Sequence, residues 1–223
     1  MISLENIDKS KHVVIVTSSD SFTDASALYT YVLRQHKKVS IVCESENIDN
    51  QFSFLPWFDK VRKVVPSSAD LVLNLDLEVA SLYELFRVNS VSINQKMATA
   101  LYAGLLKSSN GFLNANVDGT TFALAKELID KGAEYKQCNK FILKRVSLAR
   151  LRLKAIMLQN MTLINDSKAA LFSISEDDFI ATGTTIDDTY ASMNEALQLP
   201  YVETAILINN DANRVLKLIT EEI

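Results

Sequence analysis

The residue types that most often do chemistry are thinly spread along this chain. His12 and His36 are the only histidines, with an apolar strand-like run and a helix-like run between them. A HExxH protease, a His-rich zinc site and a Ser-His-Asp hydrolase therefore lack their imidazoles. Cys43 and Cys138 are too few and too far apart for a CxxC knuckle or a disulfide framework. They read as ordinary buried thiols, which fits a reducing compartment. The five glycines, Gly104, Gly111, Gly119, Gly132 and Gly183, compose neither a GxGxxG nor a Walker loop. What remains is oxygen chemistry. Ser18, Ser19 and Ser21 in one segment, with Ser108 and Ser109 in another, can line a polar pocket for an anion without a metal, or can simply satisfy loop backbone. Asp24 stands at a helix start, where a cap is worth ~1 kcal/mol, and Asp76 at a strand end. Residues 136–154 carry Lys136, Lys140, Lys144, Arg145, Arg150, Arg152 and Lys154 with no acid among them. That stretch can meet RNA phosphates or be a solvated helix face. Trp57 with Phe52, Phe54 and Phe58 can stack bases, although packing is the default for such a cluster.

The elements that must position these residues follow from periodicity. Residues 12–17 (HVVIVT) are a β-branched apolar run, followed by a polar turn and by Ala25, Leu28, Val32 and Leu33 at helical spacing. Residues 39–43 and 71–75 are further short apolar runs between polar or proline-bearing segments. Continuous apolar strands interleaved with helices predict a parallel sheet flanked by helices, an α/β architecture. Helices are predicted through 79–86, 95–106 and 120–131, the last closed by Gly132. One long linker helix is expected over 136–161. Beyond it, strands at 169–174, 205–208 and 215–219 and a helix at 188–197 make a small α+β lobe. The run 175–178 (SEDD) favours a helix N-terminus. The expected division is thus 1–135, 136–161 and 162–223.

Composition bounds the class. At 223 residues, 48% hydrophobic and 22% charged, the chain has the make-up of a folded globular protein. No run of about 18 apolar residues marks a membrane span, and the polar start shows no secretory signal, so the expected compartment is the cytoplasm. A net charge of −4 gives no global attraction to nucleic acid or to anionic membranes.

The segments TDASALYTYVL (23–33), ATALYAGLLKSSNGF (98–112), TTFALAKELIDKGAE (120–134) and LARLRLKAIMLQNM (148–161) come in an order that resembles the DHH phosphoesterase superfamily. The likeness is to its nano-RNase and pAp-phosphatase branch, which has a DHH-associated C-terminal lobe. The resemblance implies two manganese ions, held about 3.5 to 4 Å apart by converging carboxylates and histidine, that hydrolyse a phosphate ester. The first family motif, roughly HxxxDxD, falls on Ser18, Phe22 and Asp24, of which only Asp24 keeps a carboxylate. The Asp-His-His motif has no counterpart. Asp76 stands where a strand-end ligand would, though its segment equally resembles the one that follows the missing motif. The fourth motif puts Ser108 in the place of an aspartate. The glycine-rich GGGH-type phosphate clamp is expected to be missing after the last strand.

The resemblance therefore implies a catalytically inactive member kept as a binding or interaction protein. Asp24 and Asp76 would be remnants of the catalytic set, and Ser18, Asp20, Ser108 and Asn110 the ligand-facing positions. No cofactor is expected. A slow manganese- or magnesium-dependent phosphoesterase acting on pAp, short oligoribonucleotides or related nucleotides is the alternative, and RNA binding through the basic helix a third. The open edge of the small lobe predicts a homodimer or a protein partner. Nucleotide or short RNA is a further candidate ligand, and no membrane contact is expected.

Overall fold

The computed structural model describes residues 3–44, 47–75, 79–144, 146–212 and 214–220. It divides into two compact units, 1–145 and 146–223, each with its own hydrophobic core.

The first unit opens with α1 (Leu4–Lys9) and builds a four-stranded sheet from β1 (His12–Val16), β2 (Lys38–Val42), β3 (Val61–Arg62) and β4 (Leu71–Asn74). Its order is β3-β2-β1-β4, and every pairing is parallel. Ile15 lies between Ile41 on one side and Leu73 on the other. Val13, Val14 and Ile15 are wholly buried, so side chains on both faces of β1 are covered, as a parallel sheet requires. The covering helices are α2 (Phe22–Arg34), α3 (Val79–Val88), α4 (Gln95–Ser108) and α5 (Gly119–Asp130). Ten of the thirteen residues of α2 and ten of the fourteen of α4 are buried, so these two form the interior of the helical layer. Gly132 adopts φ +89 just past the end of α5, a conformation that glycine takes at no steric cost, and Ala133 N–H closes on Leu128 O at 3.0 Å.

The single linker helix expected over 136–161 is not formed. Tyr135–Cys138 is a short helix (α6), Asn139–Lys144 is a π-helix, and a new helix, α7 (Leu148–Gln159), begins in the second unit. The physical reason is a cap within the basic run: Ser147 has extended φ/ψ, and its hydroxyl accepts from Arg150 N–H at 3.1 Å. The basic residues are therefore split between the units. Arg150 is engaged with Asp188, and Lys154 with Glu195.

The second unit adds β5 (Thr162–Ile164), β6 (Ala169–Ile174), α8 (Glu176–Thr182), α9 (Tyr190–Ala196), β7 (Thr204–Asn209) and β8 (Arg214–Thr220). Its sheet runs β5-β6-β7-β8, with β6 and β7 parallel and both outer pairings antiparallel. The helical crossover from β6 to β7 is what allows those two strands to be parallel. Ser175 caps α8 in a reciprocal capping box with Asp178, as the SEDD run implied. Leu153, Met157, Phe172, Met193 and Leu207 form the centre of this core. The small α+β lobe and the α/β sheet with its helices match the expected fold class. Among the described residues no helix is long and apolar enough to cross a membrane.

Candidate functional site

In an open parallel sheet the ligand crevice lies beyond the C-terminal ends of the strands, where the strand order reverses. Here that point is between β1 and β4, because β2 and β3 follow β1 on one side and β4 joins on the other. A cavity of about 550 Å3 opens there, lined after β1 by Asp20, Thr23 and Asp24, and after β4 by Val79 and Ala80. Gly104, Leu105, Lys107, Ser108 and Ser109 of the α4 end, with Asn116, Val117 and Thr121, close it.

Gly104 makes this approach of helices feasible. A Cβ on it would stand 2.5 Å from Val79 Cγ2 and 2.7 Å from Thr23 Oγ1, closer than atoms pack. The loop after α4 is strained as well, with Asn110, Gly111 and Phe112 at consecutive positive φ. Its ring contacts are Phe112 on Phe122 at 5.3 Å and on Tyr102 at 6.5 Å.

Asp24 is the centre of the electrostatics. It is not the helix cap the sequence suggested: Ser21 holds the cap position of α2, and Asp24 is the third helical residue. Its side chain is 3% exposed, and Oδ1 is sealed from water without a hydrogen-bond partner. Burial pushes its carboxyl up to about 7, against the opposing pull of the Lys107 ammonium and its own backbone N–H. Lys107 is itself engaged, in an ion pair with Asp20 and with its Nζ 5.3 Å from the centre of the Phe52 ring.

The other expected positions divide. Asp20 and Ser108 line the cavity; Ser18 and Asn110 do not. Ser18 Oγ lies 3.2 Å from Ser21 Oγ, and Ser21 Oγ also accepts from Ser18 N–H, so these hydroxyls hold the loop after β1. Ser19 Oγ accepts from Asp49 N–H at 2.9 Å. Ser108 and Ser109 donate back to Leu105 O at 3.2 and 2.7 Å. Asp76 lies outside the described residues. Thr23, Lys107, Asn116 and Thr121 were not singled out from the sequence, since a lysine in the last turn of a helix reads as a dipole partner and the others as turn or helix polar residues. The aromatic group packs rather than waits for a base: Phe52 is wholly buried, and Trp57 donates Nε1–H to Thr30 Oγ1 at 2.8 Å while stacking near Tyr29.

An exopolyphosphatase-related protein from Bacteroides fragilis is similar to this chain in structure, over 98% of this chain and 82% of its own length, at 14% identity and TM-score 0.76. The chain has a DHH-like fold. A protein assigned to the family II inorganic pyrophosphatases from Methanococcus jannaschii aligns at 14% identity over 89% of this chain and 83% of that one, with TM-score 0.34. RecJ from Thermus thermophilus, solved with Mn2+, aligns at 11% identity over 92% and 44%, with TM-score 0.43. These two superpose too loosely to carry weight. No protein-family model and no curated protein matches the chain.

A two-metal centre on this DHH-like fold needs several carboxylates and imidazoles converging on one point. Among the described residues the cavity holds two carboxylates, of which Asp20 is 91% exposed and paired with Lys107. Phe22 is wholly buried in the core and ring-packed against Phe52 and Phe58. Among the described residues no group of three or more His, Cys, Asp or Glu side chains could hold a metal ion. The residues described do not fit a manganese pair.

Proposed function

We propose that the cavity of the first unit binds a small ligand without hydrolysing it, so that the chain is a binding protein built on a phosphoesterase-like fold. One observation carries the reading: around a cavity at the sheet's switch point, Asp24 is the one buried carboxylate among the described residues, and neutral groups such as Ser108 line the cavity with it. A cluster of anionic ligands is what concentrates a divalent ion and lets it lower the pKa of a bound water, and the described residues form no such cluster. Folding and catalysis make separate demands on such a scaffold. The apolar periodicity of α2 and α4 meets the first, and Asp24 by itself does not meet the second.

The test is hydrolysis of pAp, di- and tri-ribonucleotides, cyclic dinucleotides and polyphosphate with manganese, the last because of the exopolyphosphatase-related neighbour. The expected outcome is no turnover above that of Asp24→Ala, in protein shown by circular dichroism to be folded. Manganese-dependent turnover that vanishes in Asp24→Ala would overturn the proposal in favour of a rebuilt metal site.

A further inference from the structure

The cavity's charge balance runs opposite to what a phosphate needs. Among the described residues, its lining carries the carboxylates of Asp20 and Asp24 against one cation, Lys107, which is ion-paired with Asp20. An ionised Asp24 thus leaves the site one negative charge in excess, with no hydrogen bond to Oδ1 from any described group. The nearby hydroxyls do not supply one: Ser108 and Ser109 donate to Leu105 O, and Thr121 Oγ1 to Asp118 Oδ1 at 3.1 Å. A buried carboxylate oxygen left unpaired is costly, and a donor brought by a ligand removes that cost. Aspartate χ2 is a broad torsion, so the carboxylate can turn either oxygen toward such a donor. Val79, Ala80, Leu105 and Val117 make the remaining wall apolar.

We propose that this cavity is a site for a small organic cation, an alkylguanidinium or alkylammonium, whose N–H groups bond the Asp24 carboxylate while its hydrocarbon part lies on the apolar wall. This deepens the proposed function and rests on that reading of a non-hydrolytic pocket. A guanidinium suits the site because its planar donors match a carboxylate two at a time.

Protonation of Asp24 competes with the cation. Among the described residues, the charged groups that face Asp24 are Lys107 from α4 and Asp20 from the loop before α2; α3 brings Val79 and Ala80 to the cavity, and α5 brings Thr121. With the carboxyl at about 7, ionised Asp24 is scarce at pH 6 and dominant at pH 8. A guanidinium probe, whose own charge is constant, is expected to bind about tenfold more tightly at pH 8 than at pH 6.

The experiment titrates the full chain with methylguanidinium, butylammonium, inorganic phosphate and Mn2+ separately, by calorimetry and by amide chemical shifts, at pH 6 and pH 8. Expected are millimolar or tighter binding of an organic cation, shifts at Thr23, Asp24 and Lys107, and loss of both binding and pH dependence in Asp24→Asn. The wild-type pH profile needs no variant and stands if Asp24→Asn fails to fold. Absence of organic-cation binding, binding without pH dependence, or equal binding to a folded Asp24→Asn would each overturn the inference. Tight phosphate binding without hydrolysis would overturn the inference and leave the proposed function standing, whereas tight Mn2+ binding followed by hydrolysis would overturn both.

Discussion

A carboxyl group that is 3% exposed, three residues into a helix and short of one hydrogen bond holds its proton more tightly than the same group in an unfolded chain. For Asp24 the folded value is about 7 against an ordinary 3.8. The unfolded chain then releases a proton between about pH 4 and 7 that the folded chain keeps, so stability falls as pH rises through that window. The difference is worth roughly 4 kcal/mol once both states are ionised. Asp24→Asn, which keeps the shape and removes the titration, is therefore expected to be the more stable protein at pH 8 by a few kcal/mol, with a flatter profile from pH 5 to 8. Urea unfolding across that range checks it; a wild type at least as stable as Asp24→Asn at pH 8 would show that the ionised carboxylate is accommodated.

Elements meet at the site through small contacts. Helix α4 passes α2 and the start of α3 closely enough that a methyl on Gly104 has no room, as its 2.5 Å approach to Val79 shows. Gly104→Ala gains ~1 kcal/mol of helix propensity but overpacks the contact at a cost of about 1 to 3 kcal/mol. The net expectation is a loss of up to about 2 kcal/mol, read from denaturant midpoints. A stabilised variant would mean that the helices can part without penalty. At the start of α7, Ser147→Ala removes the hydroxyl that accepts from Arg150 N–H and is expected to destabilise the second unit by ~1 kcal/mol.

At the scale of the whole molecule, two cores divide the stability. Phe172 is wholly buried among Leu153, Met157, Met193 and Leu207, whereas β1 lies in the other cluster with Phe22, Leu28 and Leu101. Truncating Phe172 to alanine costs about 3 to 5 kcal/mol of the second core. Hydrogen exchange should then show faster exchange at β6 and β7 amides, with Val14 and Ile15 as protected as before. Equal loss of protection in β1 would show that the chain unfolds as one cooperative body.

Much of this was legible in residue order alone. Apolar runs at 12–17, 39–43 and 71–75 specify strands because buried parallel strands need apolar side chains on both faces, and the spacing in 23–33 and 95–106 specifies helices because it brings the large apolar side chains onto one helical face. The short strands Val61–Arg62 and Thr162–Ile164 were not legible: two or three residues carry no period, and their pairing partners are distant in sequence. The break at Ser147 was hidden because a run of cations masked a cap. At the site, residue types together with the family resemblance pointed to Asp24, Asp20 and Ser108 as candidates, but they could not separate a helix cap from a buried carboxylate. That distinction depends on solvent exclusion by Val79, Gly104 and Leu105, and on Lys107 being drawn to Asp20, all contacts between segments far apart in the chain. The sequence determined the alternation of strands and helices and the poverty of metal ligands, because both are properties of residue identity and local spacing. Only the tertiary structure decided which carboxylate is buried, what charge surrounds it and that a cavity opens beside it, because desolvation and charge pairing act through space.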